Sequence, residues 1–171
     1  MSRDTNLLKR AFVTYVRPIV EYNTCVWSPY LLKDIQKLEN VQRYFTRRLF
    51  CGCSYTYKER LFLLGLETLE IRRLKCDLKM YFKIINNLVK IDSSKFFLIS
   101  PVTKETRGHG YRLQKRMFHN NQLFNTFTNR AVDCWNALPD QIVYAESYAV
   151  FSGCLKKLNL AEFQRGMSSE M

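Results

Sequence analysis

A chain of 171 residues with 27 Lys and Arg against 15 Asp and Glu carries a formal charge of +12, and 47% of it is hydrophobic. That is enough apolar material for a packed core in one domain or two small ones, and it excludes wholesale disorder. Six glycines and four prolines are few for this length, which argues against a turn-rich β-sandwich and for long helices.

No apolar run reaches the roughly 18 residues a membrane span needs, so no membrane partner is expected. The first six residues lead into no apolar signal core, and the expectation is an intracellular protein, cytoplasmic or nuclear, not a secreted one. Cys25, Cys51, Cys53, Cys76, Cys134 and Cys154 then read as free thiols, chiefly small core hydrophobes. Cys51 and Cys53 are the one close pair, and no second pair or neighbouring histidine completes a zinc set.

The charge is unevenly spread. Residues 1–60 carry a net +6, residues 61–120 a net +7 and residues 121–171 a net −1. The positive field of the first two thirds favours polyanions, either nucleic acid or an acidic membrane surface, the second being the weaker reading because polar loops separate the helices. A merely solubilising surface has the same composition.

In chain order, the first apolar segment runs from Leu7 to Trp27, with Leu8, Phe12, Tyr15, Val16 and Ile19 at helical spacing. Pro18 predicts a break or kink. Ser28-Pro29 has the form of an N-cap followed by proline at the first helical position, with the helix proper starting there or a few residues later. The spacing then predicts a helix over 32–50, with Ile35, Leu38, Val41, Phe45 and Leu49 on the inner face and Lys37, Arg43, Arg47 and Arg48 mostly away from it. Gly52 is placed as a left-handed closing residue. Thr56 to Glu59 forms a capping box opening a short helix to Leu64, closed by Gly65.

The clearest pattern lies over 69–89. Ile71, Leu74, Leu78, Tyr81, Ile85 and Leu88 share one face, and Arg72, Lys75, Lys79, Lys83 and Lys90 share another, which predicts an apolar keel with a cationic ridge. Residues 92–120 carry no helical period, and Tyr111 to Gln114 suits a short strand. Within them, 103–119 holds Lys104, Arg107, Arg112, Lys115 and Arg116 against one acid, with His109, Tyr111, Phe118 and His119 interleaved. Cations between flat rings suit single-stranded nucleic acid, and a charged loop whose aromatics plug the core looks the same. A helix is expected over 123–138 with Phe124, Phe127, Ala131, Cys134 or Trp135, and Leu138 inward. A last helix from the Ser147 cap to Leu158 is expected to bury Val150, Phe151, Cys154 and Leu158. Together these predict a mainly α fold: an irregular helical bundle with a short loop or β-hairpin insertion near 103–120.

The chemistry of bond-making is missing from this reading. No two acidic residues are adjacent, and six Asp and nine Glu scattered singly give no obvious two-metal carboxylate set. There is no phosphate-binding loop, dinucleotide fingerprint or nucleophile elbow. No enzyme, catalytic residue, metal ligand or cofactor is expected.

Several runs do resemble something specific. Tyr15-Val16-Arg17-Pro18-Ile19-Val20-Glu21-Tyr22 and Val26-Trp27-Ser28-Pro29 come first. Then follow Asp34-Ile35 with Leu38-Glu39 and Val41-Gln42-Arg43, Tyr57 to Leu61 with Leu64-Gly65-Leu66, Leu69 to Leu74, Thr106-Arg107-Gly108-His109, and Phe127 to Pro139. In this order and spacing they resemble the part downstream of the palm in reverse transcriptases of non-LTR (LINE-like, jockey-type) retrotransposons, over about residues 7–158.

The resemblance implies a thumb-like helical region at 1–66, a C-terminal helical extension at 67–160 containing the basic loop 103–120, and a frayed tail at 161–171. It implies that the catalytic carboxylates of the palm belong upstream, that no endonuclease is present, and that Met1 is a start inside a longer reading frame. A thumb grips an RNA or RNA–DNA duplex through its backbone, which needs Lys and Arg on helices. The contact candidates carried over are Arg17, Arg43, Arg47, Arg48, Arg72 and Arg73. Structural alternatives stand beside them: Arg17 is placed to clamp Glu21, and Arg72 and Arg73 to pair with Glu67 or Glu70. The ridge adds Lys75, Lys79 and Lys83, and the basic loop adds Arg107, Arg112, Lys115 and Arg116. A thumb without its palm is also expected to expose apolar residues around Phe12, Tyr15 and Trp27 and to self-associate. The alternative from another class is a non-catalytic helical protein-interaction module, or a transposon relic without function.

Overall fold

The computed structural model describes residues 4–99 and 109–165. The chain is mainly α-helical with one two-stranded antiparallel sheet. It forms two compact units: residues 4–24, 29–73 and 164–165 in the first, and residues 25–28 and 74–163 in the second. The division falls between Arg73 and Leu74, inside a helix.

In the first unit, Asp4 caps α1 (Thr5–Ala11) by accepting from Asn6 N at 2.9 Å. The expected break at Pro18 is replaced by a widened turn. Residues Phe12–Val16 are π-helical, and the Arg17 amide reaches back five residues to the Phe12 carbonyl. Pro18 has no N–H to give and its ring crowds the carbonyl four residues earlier, so re-registering the bonds by one residue ahead of it keeps the chain helical. The helix continues as α2 (Arg17–Val20).

α3 runs from Leu32 to Leu49. Its N-cap is Leu31, extended and without a side-chain bond, so of the two expected starts the helix takes the one a few residues after Ser28-Pro29. Gly52 is left-handed at φ 93, and Thr56 and Glu59 close the expected box at the start of α4 (Tyr57–Leu64). Gly65, at φ 57, ends α4. Tyr57, Leu61, Leu64 and Leu66 form the small core here, with Val13, Leu49 and Phe50 against it. Phe12 stacks on Phe45 at 4.1 Å between ring centroids.

α5 (Leu69–Ile85) ends four residues before the expected Val89, where Asn87 turns left-handed at φ 53. Its later residues Leu78, Tyr81, Phe82 and Ile84 build the core of the second unit with Trp135, Phe151 and Leu155. α6 (Ser93–Phe96) precedes β1 (Leu98–Ile99), which pairs antiparallel with β2 (Leu113–Gln114) in the register Leu98 to Gln114. Thus the expected strand near 111–114 is present, and its partner lies before the 103–120 stretch.

The single helix expected over 123–138 is three short ones: α7 (Asn121–Phe124), α8 (Phe127–Arg130) and α9 (Val132–Asn136). The first interruption falls at Asn125 and Thr126, whose side chains donate to the Asn121 and Leu123 carbonyls, both at 2.7 Å, and so compete locally with a continuing backbone ladder. Both Cys134 and Trp135 are buried. After α10 (Asp140–Val143), Ser147 caps α11 (Tyr148–Lys157) as expected, with its hydroxyl accepting from Val150 N. Val150 itself is half exposed, and Leu155 takes the inward place with Phe151. Residues Ala161–Phe163 form a 3-10 turn, so the first part of the tail is ordered, and residues 166–171 lie outside the described ones. No described helix is long and apolar enough to cross a membrane.

Candidate nucleic-acid interface

α3 has an unusual interior. Of the apolar set expected from hydropathy Ile35 is buried, and the other buried positions are the polar Glu39, Gln42 and Thr46. Val41 is exposed, and Leu38, Phe45 and Leu49 are half-buried. The polar residues go inward because they have partners there. Tyr57 donates its hydroxyl hydrogen to Glu39, and the Leu69 amide donates to the other Glu39 oxygen at 2.9 Å. Gln42 donates to the Tyr57 oxygen at 3.1 Å and to the Glu67 carbonyl at 3.0 Å. Burial nevertheless raises the Glu39 carboxyl above its usual range, more than these donors and Arg43 lower it. Tyr57 is pushed up in turn, by burial and by the carboxylate beside it.

Fixing that face inward fixes the other outward. At about 100° per residue, Lys33, Lys37, Asn40, Tyr44, Arg47 and Arg48 fall within an arc of about 120° opposite the buried row. All six are exposed. From Lys33 to Arg47 the row spans about 21 Å at 1.5 Å per residue. Arg48 donates to the Tyr44 hydroxyl at 2.8 Å, and its guanidinium lies 5.4 Å from that ring's centroid. Lys37 pairs with Asp34 at 3.2 Å, in an exposed pair worth little. The other acid of the helix, Glu39, is buried. Lys33, Lys37 and Tyr44 are interface candidates that the motif comparison passed over, although the spacing of 33, 37, 44 and 47 on one face was readable.

The remaining first-unit candidates are engaged inside. Arg43 is half-buried with its guanidinium 4.8 Å from the Tyr57 centroid. Arg17 meets Glu21 at 3.6 Å, as anticipated, and burial lowers its pKa. Arg72 pairs with the same Glu21 through two nitrogens, and Arg73 is buried and donates to the Val20 carbonyl at 2.8 Å.

The cationic ridge over 69–89 is corrected. Lys75 is only 4% exposed and donates to the Lys156 carbonyl at 3.2 Å. Lys79 is half-buried, and Lys83 is half-buried with its ammonium 4.4 Å from the Tyr148 centroid. Only Lys90, beyond the end of α5, is exposed. α5 is wrapped on most sides, so even its charged residues are covered. Asp77 makes the same point from the acidic side: it is buried and takes Arg130 Nε and Nη2 at 2.7 Å each.

In the basic loop, Arg107 lies outside the described residues. Lys115 pairs with Asp133 and Arg116 donates to the Lys95 carbonyl at 2.9 Å, while Arg112 is half-buried. His109 is buried, its Nε2 at 3.0 Å from the Trp135 carbonyl. Among the described residues, His, Cys, Asp and Glu nowhere gather in threes that could hold a metal ion. Of the residues expected to expose apolar surface, Tyr15 is 73% and Trp27 44% exposed, and Phe12 is buried.

No protein-family model matches the chain, and no curated protein or solved structure matches it either.

Proposed function

We propose that the chain is a non-catalytic, nucleic-acid-binding piece of a reverse transcriptase, corresponding to the thumb and C-terminal extension of a non-LTR retrotransposon enzyme, and that it holds the backbone of RNA or an RNA–DNA duplex. The single observation that carries this reading is the outer face of α3, where Lys33, Lys37, Arg47 and Arg48 stand exposed with Tyr44 among them. Two of those arginines are among the contact candidates drawn from the resemblance. A cationic row on a rod contacts phosphates by shape and charge and needs no base-reading code.

The test is fluorescence anisotropy of the full chain with a labelled RNA–DNA hybrid. About four phosphate contacts predict a fall of two orders of magnitude in affinity between about 50 and 200 mM salt. Arg47→Ala with Arg48→Ala is expected to flatten that slope. Binding that ignores salt overturns the reading.

A second reading has its own observation. Tyr15 and Ile19, in the π-helical turn and α2, and Tyr22, in the turn that follows, are each more than 70% exposed. Such a row suits a protein partner or self-association. Light scattering on the size-excluded protein separates the two: an RNA-indifferent species that self-associates supports this second reading.

A further inference from the structure

We propose that Cys51 and Cys53 form a dithiol that exchanges with low-molecular-weight disulfides, closing an internal bridge across Gly52. Both thiols are exposed, whereas Cys134 is buried and Cys25, Cys76 and Cys154 are half-buried. The backbone between the pair is already bent. The Cys53 amide donates to the Phe50 carbonyl at 3.0 Å, closing a four-residue turn. Gly52, at φ 93, takes the third position, where a type II turn demands a left-handed residue. Residues two apart cannot exceed about 7 Å between Cα atoms, and a bend brings them inside the roughly 4.4–6.8 Å that a disulfide spans. A Cβ built on Gly52 meets nothing within 4 Å, so the turn opens to solvent and a small disulfide can approach.

The exchange balances without any group outside the two reactants. One cysteine, as thiolate, attacks a sulfur of the small disulfide and expels one small thiol, leaving a mixed disulfide. The other cysteine attacks the protein sulfur of that mixed disulfide and expels the second small thiol. Two protein thiols become one S–S bond, one small S–S bond becomes two thiols, and the two protein protons end on the leaving thiols. A bridge across a single residue closes a tight ring in an exposed place, which is the setting of a labile couple and not of a structural staple. Two of the other thiols are poor competitors: burial pushes Cys134 up to about 12 and Cys25 up to about 11.

The experiment equilibrates the reduced full chain in glutathione and glutathione disulfide at a series of ratios, quenches with acid and maps peptides by mass. The expected result is loss of two hydrogens in the peptide carrying 51–53, titrating with the ratio as a two-electron couple. Cys51→Ser and Cys53→Ser are each expected to accumulate glutathione on the remaining cysteine. Gly52→Val, checked for folding by circular dichroism, is expected to need a several-fold more oxidising ratio for half closure. Glutathione on both wild-type cysteines without a bridge, bridges between chains, a bridge involving any other cysteine, or thiols that stay reduced throughout overturn the proposal.

Discussion

Tyr57 donates its phenolic hydrogen to the carboxylate of Glu39, and the carboxylate sits on a buried helix face at only 5% exposure. Burial holds the Glu39 carboxyl above its ordinary value of 4.5. A carboxyl whose folded value is raised binds its proton more tightly in the native state. Its favourable contribution is therefore complete below about pH 4.5 and is lost as pH rises through the raised folded value. The expected outcome is that Glu39→Gln flattens that part of the stability–pH profile, as read from urea midpoints across the acid range. An unchanged profile contradicts it.

Tyr57→Phe leaves the Glu39 carboxylate buried with one donor fewer and removes one of two acceptors from Gln42. The cost of an unmet buried group is about 1–3 kcal/mol. Urea unfolding of the variant at neutral pH checks this, and a change near zero contradicts the packing described for α3.

Asp77 and Arg130 form a two-pronged pair, with the carboxylate side chain 3% and the guanidinium side chain 12% exposed. Removing one partner strands the other. Asp77→Leu or Arg130→Met alone is expected to cost about 3–5 kcal/mol, and the double variant to recover most of it. A double-mutant cycle by chemical denaturation measures the coupling.

Gly65 ends α4 at φ 57, and the nearest atom to an added Cβ is the Lys9 ammonium at 3.9 Å. There is room for a methyl group, so the penalty of Gly65→Ala is conformational. It is expected to be about 1–2 kcal/mol in thermal or urea unfolding.

Arginines of the two classes should separate by assay. Arg47→Ala and Arg48→Ala, on the exposed face, are expected to stay within about 0.5 kcal/mol of the parent in stability while weakening duplex binding. Arg73→Ala removes a buried donor to the Val20 carbonyl and is expected to lower stability first. Paired unfolding and anisotropy measurements on the same three proteins decide it.

Local signals in the sequence were accurate where the physics is local. The Thr56–Glu59 box, the left-handed Gly52 and Gly65 and the Ser147 cap each involve neighbours within a few residues, and each forms. The inner face of α3 was not legible, because hydropathy ranks Val41 above Gln42 and has no view of Tyr57 or Glu67 waiting as partners. The ridge on α5 failed for a related reason. Arg72 meets Glu21 and Asp77 meets Arg130 across more than 50 residues of chain, and the pattern of one helix says nothing about what will wrap it. The α3 candidates Arg47 and Arg48 survived as exposed cations with Lys37, which the spacing had also turned outward, and Lys33 went unnoticed until the buried row showed which way the helix was turned.

The wide turn at Phe12–Val16 carries one residue more than an ordinary spiral holds. That surplus is a phase shift. Everything downstream in the rod, Arg17 and its Glu21 partner included, is aimed about 100° away from where an uninterrupted α-helix would aim it. Excising one amino acid between Val13 and Val16 would therefore leave an ordinary spiral that aims those side chains as they are aimed now, whereas adding one would swing them about 100° off their marks.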